Sequence, residues 1–260
     1  MSAKDIVLKP IKADVANAFV KKHHYSKKVV QNSQVHLGVF YFGKLEGVMS
    51  FGPSLDKSKV IGLIKDTNWN GFIELNRMAF SDVLPKNSES RAISVAIRML
   101  KKFAPTVEWV ISFADGTQSG DGTIYRASGF YLTSIRENTS LWQFPTGDRI
   151  AGMTIEANWT LPIIKKQCDF LGVEHKYRTR NDWKKLGAFP LPGFQLRYIY
   201  FINPSAKDRL TVPILPFSDI AKMGATMYKG IGDGSIDSDA IDFQSIEGSA
   251  TLTPLLQPKE

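Results

Sequence analysis

Across 260 residues the sequence holds a single cysteine, Cys168. One thiol forms no intramolecular disulfide and rules out a zinc cluster of several cysteines. The chain therefore suits a reducing compartment, the cytoplasm. No stretch approaches the roughly 18 uninterrupted apolar residues that a membrane-crossing helix needs. The first twelve residues are broken by Lys4, Asp5 and Lys9 and lack the apolar run of a secretory signal. Several signatures of known chemistry are missing too. There is no G-x-x-x-x-G-K-S/T phosphate loop, no H-E-x-x-H metal motif and no G-x-S-x-G nucleophile elbow. Gly116, Gly120 and Gly122 have the wrong spacing for a dinucleotide fingerprint. An adenine amino-methyltransferase should carry Asp/Asn-Pro-Pro-aromatic. The nearest match, Asn203-Pro204-Ser205-Ala206, lacks the second proline and the aromatic. No internal repeat is present.

What is present is an ordinary globular composition, 43% hydrophobic and 22% charged. The length suits one large domain, or one domain with an extension. The net charge of +8 is unevenly spread. Residues 231–260 carry six acids and one base, which leaves 32 bases and 19 acids, a net +13, in the body. A body that basic suits a polyanionic partner, with nucleic acid first among them. A basic surface that serves only solubility is the plainer alternative.

Residues 5–11 read as a strand, 14–22 as a short amphipathic helix, and 36–42 and 45–51 as a hairpin turning at Gly43-Lys44. A strand follows at 72–80, a helix at 90–103 and a buried strand at 107–114. Residues 122–128 form a short helix that Gly129 closes. Strand-like runs follow at 130–136, 141–144 and 195–202. This order is mixed α/β. It predicts a main α/β domain over 1–160, a basic extension packed on it over 161–230, and an acidic tail over 231–260.

Tyr125-Arg126-Ala127-Ser128-Gly129-Phe130, on a short helix after a buried strand, is similar to the last helix and strand of the GNAT acyltransferase superfamily. More specific matches run in order over residues 20–135. They are His23-His24-Tyr25-Ser26, Glu74-Leu75-x-Arg77-Met78, Ser90-Arg91-x-Ile93, Phe113-Ala114-Asp115, and Gly122-Thr123-x-Tyr125-x-Ala127-x-Gly129-Phe130. Together they resemble the Mom DNA-modification proteins of bacteriophages.

The resemblance implies a GNAT-like mixed sheet flanked by helices, with 1–160 as the catalytic domain, and an enzyme of the host-cell cytoplasm. That enzyme would convert adenine in DNA to a carbamoylmethyl-adenine, protecting phage DNA from restriction. It implies donor binding at Met78, Ala79 and Phe80 and at Ser88, Ser90, Arg91 and Ala92. The loop there, Asn87-Ser88-Glu89-Ser90-Arg91-Ala92, lacks the glycines usual for coenzyme A pyrophosphate, and Glu89 opposes a phosphate. Backbone amides at the helix start still offer an anion site. The donor is therefore either acyl-coenzyme A or an activated glycine such as glycyl-tRNA. With acetyl-coenzyme A, an oxidation step would call for a redox metal such as iron near His24, Asp115 and Tyr125.

The candidate residues each carry two readings. Tyr125 is a general acid or a packing tyrosine. Asp115 is a general base at a strand end or a turn former. His24, and less so His23, is a base or ligand, with a helix C-terminus favouring its protonated form, or else a solvated helix end. Tyr25, Ser26, Glu74 and Arg77 are substrate contacts. Alternation puts Glu74 and Asn76 on one face of the strand and Arg77 on the other. Lys27, Lys28, Lys176, Arg178, Arg180, Lys184 and Lys185 are phosphate contacts or a solvated face, with Tyr177 and Trp183 interleaved for stacking on bases. Trp69, Trp109, Trp142 and Trp159 read as core. A GNAT acting on a hypermodified pyrimidine or a protein lysine, or a non-catalytic DNA binder, would also fit.

Overall fold

The computed structural model describes residues 2–24, 26–116, 120–138 and 140–224. In chain order these are β1 (Ile6–Pro10), α1 (Ala13–His23), β2 (Val35–Tyr41), β3 (Lys44–Gly52), α2 (Lys57–Ile61), β4 (Phe72–Phe80), α3 (Ser88–Phe103) and β5 (Trp109–Asp115). Then come α4 (Thr123–Ala127), β6 (Tyr131–Glu137), β7 (Leu141–Gln143), β8 (Arg149–Ala151), α5 (Gly152–Ala157) and α6 (Pro162–Leu171). α7 (Arg180–Lys185), β9 (Phe189–Pro190), β10 (Phe194–Phe201) and α8 (Ser218–Lys222) complete the series.

Seven strands form one sheet in the order β1-β2-β3-β4-β5-β10-β6. All neighbours run antiparallel except β4 and β5, which are parallel. The β2–β3 hairpin turns on Phe42 and Gly43, at φ 47° and 81°, one residue earlier than expected. Two consecutive left-handed residues match the twist of the paired strands. α3 covers one face, where Leu37, Met49, Phe51, Leu75, Ile93 and Val110 are buried together. On the other face α1 presses Ala16, Phe19 and Val20 onto Leu45, Val48 and Ala79.

The expected boundary at residue 160 is not a division of the fold. β10, from the supposed extension, sits inside the main sheet and pairs with both β5 and β6. Leu196, Tyr198 and Ile199 are wholly buried, as a strand covered on both faces must be. The intervening segment, residues 138–190, builds a small lobe of its own. Its sheet runs β8-β7-β9, and its core joins Trp142, Phe144, Ile155, Ile164, Cys168 and Trp183. The 231–260 tail lies outside the described residues. Trp109 and Trp142 are core as expected, but Trp69 is 58% exposed under the Lys57 ammonium, 4.6 Å from its ring centre.

Two local features open the sheet. The β4–β5 ladder ends at Glu74 opposite Ile111, and the strands then part. Against β3, the register shifts so that Arg77 faces Ser50 and Leu75 faces Phe51, leaving Asn76 as the extra residue of a β-bulge. Ser33 Oγ donates to Asn76 Oδ1 at 3.1 Å. Gly52 is obligatory here, because a Cβ would stand 2.7 Å from that oxygen and 2.6 Å from the Asn32 carbonyl.

Candidate active site

The parting of β4 and β5 leaves a cavity of about 310 Å³, at the small end of the roughly 300–1,000 Å³ usual for ligand sites. β4 contributes Leu75, Asn76, Arg77 and Met78, and β5 contributes Phe113 and Ala114. His24 closes it at the end of α1, and residues 120–125 close it from α4.

Three expected residues meet in this cavity: His24, Arg77 and Tyr125. Tyr125 is held by its ring, 5.4 Å from that of Phe130 and 5.2 Å from that of Tyr198. Arg77 Nε donates to the Lys28 carbonyl at 2.9 Å, and Nη1 donates to the Asn76 carbonyl at 2.8 Å. Of the expected donor contacts only Met78 lines the cavity. Ala79 packs under α1, and the Phe80 ring lies on Gly47.

His24 overturns the expectation of a protonated helix end. It is buried, and burial, helped by the Arg77 charge, brings its pKa from 6.5 to about 4. The Ser26 backbone N–H donates to His24 Nδ1 at 3.1 Å, with Ser26 Oγ at 2.8 Å from the same nitrogen. A backbone N–H only donates, so Nδ1 accepts and the neutral ring carries its proton on Nε2. His24 is thus a hydrogen-bond donor, not a base through Nδ1. His23 stacks on Phe19 at 4.2 Å. Tyr25 lies outside the described residues. Burial also depresses His23 and His36. A histidine depressed in the folded state is protonated first in the unfolded chain. Its contribution to stability is therefore present above pH 6.5 and drains as pH falls towards about 4. The urea midpoint should fall across that window, and His24→Gln should flatten part of the slope. An equally steep fall in the variant would clear His24.

The bulge also corrects Glu74. Arg77 and Glu74 face Ser50 and Gly52, two residues apart on β3, so both project to the same side of the sheet. Glu74 turns to Ser54 and Asn76 rather than into the cavity, and burial raises its pKa. Asp115 is not among the lining residues. The carboxylate there is Asp121. Asp121 Oδ1 accepts from the Thr123 N–H at 3.0 Å and its hydroxyl at 2.5 Å, and the Tyr198 hydroxyl donates to its carbonyl. Burial pushes the Tyr198 phenol well above its ordinary range, so it stays a donor. Sequence reasoning missed Asp121, Asn76 and Phe113. The signal for Asp121 was a second Asp-Gly step, directly before the short helix.

The 87–92 loop builds no phosphate cradle from its side chains. Ser88, wholly buried, donates to the Pro85 carbonyl, and Ser90 to that of Asn87. Ala92 is core and Arg91 is exposed on α3. Glu89 occupies the first turn of the helix. The coenzyme A pyrophosphate therefore finds no side-chain fit there. Nor do ligands for a redox metal converge. Among the described residues no three His, Cys, Asp or Glu side chains group to hold a metal, and His24 Nδ1 is engaged by Ser26.

The basic segment divides. Lys176, Tyr177, Lys184 and Lys185 are exposed. Trp183 is 1% exposed and cannot stack on a base. Arg178 is buried, with its guanidinium carbon 5.4 Å from the Trp183 ring centre and Nη1 3.5 Å from Cys168 Sγ. Arg180 pairs with Glu156 at 2.9 Å. Those two arginines hold the lobe together. Lys27 is exposed at φ 49°, and Lys28 Nζ reaches Thr154 Oγ1 at 3.2 Å.

A mixed sheet that opens between two diverging parallel strands, with helices on both faces and a tyrosine-bearing helix over the gap, defines the class, a mixed α/β protein with its cavity at the strand gap. An IAA acetyltransferase from Bacillus cereus is similar at a TM-score of 0.40 and 10% identity, over 75% of this chain and 99% of that one. A Bacillus subtilis acetyltransferase solved with CoA is similar at 0.39 and 11%, over 75% and 97%. The Mom protein family profile matches residues 5–219. The protein named Methylcarbamoylase mom, of Escherichia phage Mu, is 32% identical over 212 residues, 82% of each chain. The chain belongs to the Mom protein family.

Proposed function

We propose that this protein is a phage DNA-modification transferase acting in the host cytoplasm on the exocyclic amine of adenine. Its product would be a carbamoylmethyl-type adduct that shields DNA from restriction. Membership of the Mom family, with a relative named for methylcarbamoylation, carries the reading. The small cavity lined by Tyr125, Asp121, Arg77 and His24 supports it, since it suits a single base more than a long cofactor. A paired adenine must first leave the stack, at a cost of a few kcal/mol, and phosphate contacts from a basic body offset that.

In this mechanism the amine nitrogen attacks the acyl carbon of an activated donor. Arg77 and the His24 Nε2–H stabilise the negative oxygen that forms. Tyr125 gives its proton to the leaving group as the intermediate collapses, and Asp121 receives the proton released by the amine. The donor is glycyl-tRNA, the alternative being an acyl-coenzyme A. A glycyl amide on the base is an isomer of the carbamoylmethyl amine. Attack of the glycyl nitrogen on the purine carbon bearing the amide, with departure of the amide nitrogen from that carbon, interconverts them without any oxidant.

The test is mass spectrometry of nucleosides from cells expressing the protein and fed labelled glycine. A labelled adenine adduct is expected. An unlabelled adduct would remove glycine as donor, and unmodified adenine would overturn the reading. Asp121→Asn keeps the acceptor for Thr123, so the fold should hold. The adduct should fall by about 100-fold or more if Asp121 takes the proton.

A further inference from the structure

The open half of the sheet carries a second polar feature that the transfer mechanism does not use. On β10, Arg197 lies opposite Phe113 of β5 and Ser134 of β6, and Gln195 lies opposite Arg136. Residues opposite one another, or two apart on a strand, share a face. Arg197, Arg136 and the cavity residue Phe113 are therefore on one face, the one α1 covers at the far strands. A bulge at Thr133 sits beside the pair, and Thr133 fixes Arg197. Nε donates to its hydroxyl at 3.0 Å, and Nη2 to its carbonyl at 3.1 Å. Arg197 is half-buried and Arg136 is exposed.

Two cations on adjacent strands repel, and burial adds to the cost of the charge on Arg197. Such a pair normally recruits a carboxylate. Among the described residues, neither arginine is in an ion pair. The nearest acid in the ladder, Asp115, shares their face opposite Gln195, yet forms no ion pair with either arginine. An arginine pair held in place and in no ion pair is complementary to an anion that arrives from outside, and guanidinium forks suit phosphate oxygens.

We propose that Arg197 and Arg136 seat the DNA phosphodiester next to the target nucleotide. Resting on the reading of this protein as a DNA-modifying enzyme, the assignment adds where the strand runs. Directly opposed strand residues are about 5 Å apart. Arg197 therefore stands one strand away from the cavity wall at Phe113, within the phosphate-to-phosphate reach of an extruded base. DNA then crosses the end of that face where Phe113, Arg197 and Arg136 lie, beyond the buried Trp109, Ile111 and Ile199, on the side of Arg77 and Lys28 rather than the lobe face of α7.

The probe is a dye-labelled single-stranded DNA oligonucleotide containing adenine, with binding followed by fluorescence anisotropy over a salt series. Removing one arginine–phosphate interaction should lower the log affinity–log salt slope by about 0.7. Arg136→Gln leaves both Arg197 bonds to Thr133 in place, so the variant should fold, and its slope should fall by about that amount. With Arg197→Gln added, the fall should be about twice as large. Binding by the unaltered protein with an unchanged slope in Arg136→Gln overturns the assignment alone. No binding by the unaltered protein overturns it together with the DNA reading.

Discussion

Tyr125→Phe is expected to cut adduct formation by about 100- to 10,000-fold, the range for loss of a positioned general acid. The change removes one hydroxyl. The ring keeps its neighbours Phe130 and Tyr198 at 5.4 and 5.2 Å, so folding and DNA affinity should be nearly unaltered. That split separates an acid from a packing tyrosine. Quantifying the modified nucleoside per adenine in purified DNA, alongside thermal melts of both proteins, would check it. Equal adduct yield would remove Tyr125 from the chemistry and leave it as a wall of the cavity.

Gly122→Ala should be more damaging to the fold, although it adds a single methyl. Gly122 has φ +75°, and a Cβ there would run into the Tyr198 ring. The left-handed backbone costs a substituted residue about 1–3 kcal/mol, and overpacking adds about 1–3 kcal/mol. Tyr198 cannot step aside, because it is wholly buried and donates to the Asp121 carbonyl. A total near 2–6 kcal/mol should lower the melting temperature by roughly 4–24 °C in a chain of this size. Activity should fall further than stability, since the displaced segment carries Asp121 and Tyr125. Differential scanning calorimetry checks the first part. A melting point within a degree of the parent would show that α4 can shift to admit the methyl.

How much of this was legible in the sequence depends on how local each signal is. The hairpin, β4, α3 and β5 were readable because alternation, helical spacing and buried runs are properties of neighbouring residues. Gly129 was read as closing α4, and it has φ +81°. The placement of β10 was not readable, since a pairing across more than sixty residues leaves no mark on local pattern. Nor was the bulge at Asn76, which depends on Gly52 across the ladder and which moved Glu74 onto the face of Arg77. For His24 the macrodipole argument was sound in kind but was outweighed by burial, which the sequence does not display. Arg178 and Trp183 read as DNA contacts because charge and aromatics are counted without knowing which side is inward. Of the residues that line the cavity, Tyr125, Arg77 and His24 were singled out through resemblance. Asp121 was passed over for Asp115 because both precede glycine and only the cavity distinguishes them.

The position of β10 also sets an order of events during synthesis. The strand that supports β5, carries Arg197 and buttresses Gly122 through Tyr198 leaves the ribosome after the whole 138–190 lobe. Until then β5 and β6 each present an unpaired inner edge, the kind of surface that recruits stray strands. Closing a sheet over so long an excursion is slow relative to local folding. The lobe, which has its own core, can form first and hold the two ends of its loop together, so that β10 enters a slot already framed. Competence in this chain is therefore a late property, gained only when its last sheet strand is in place.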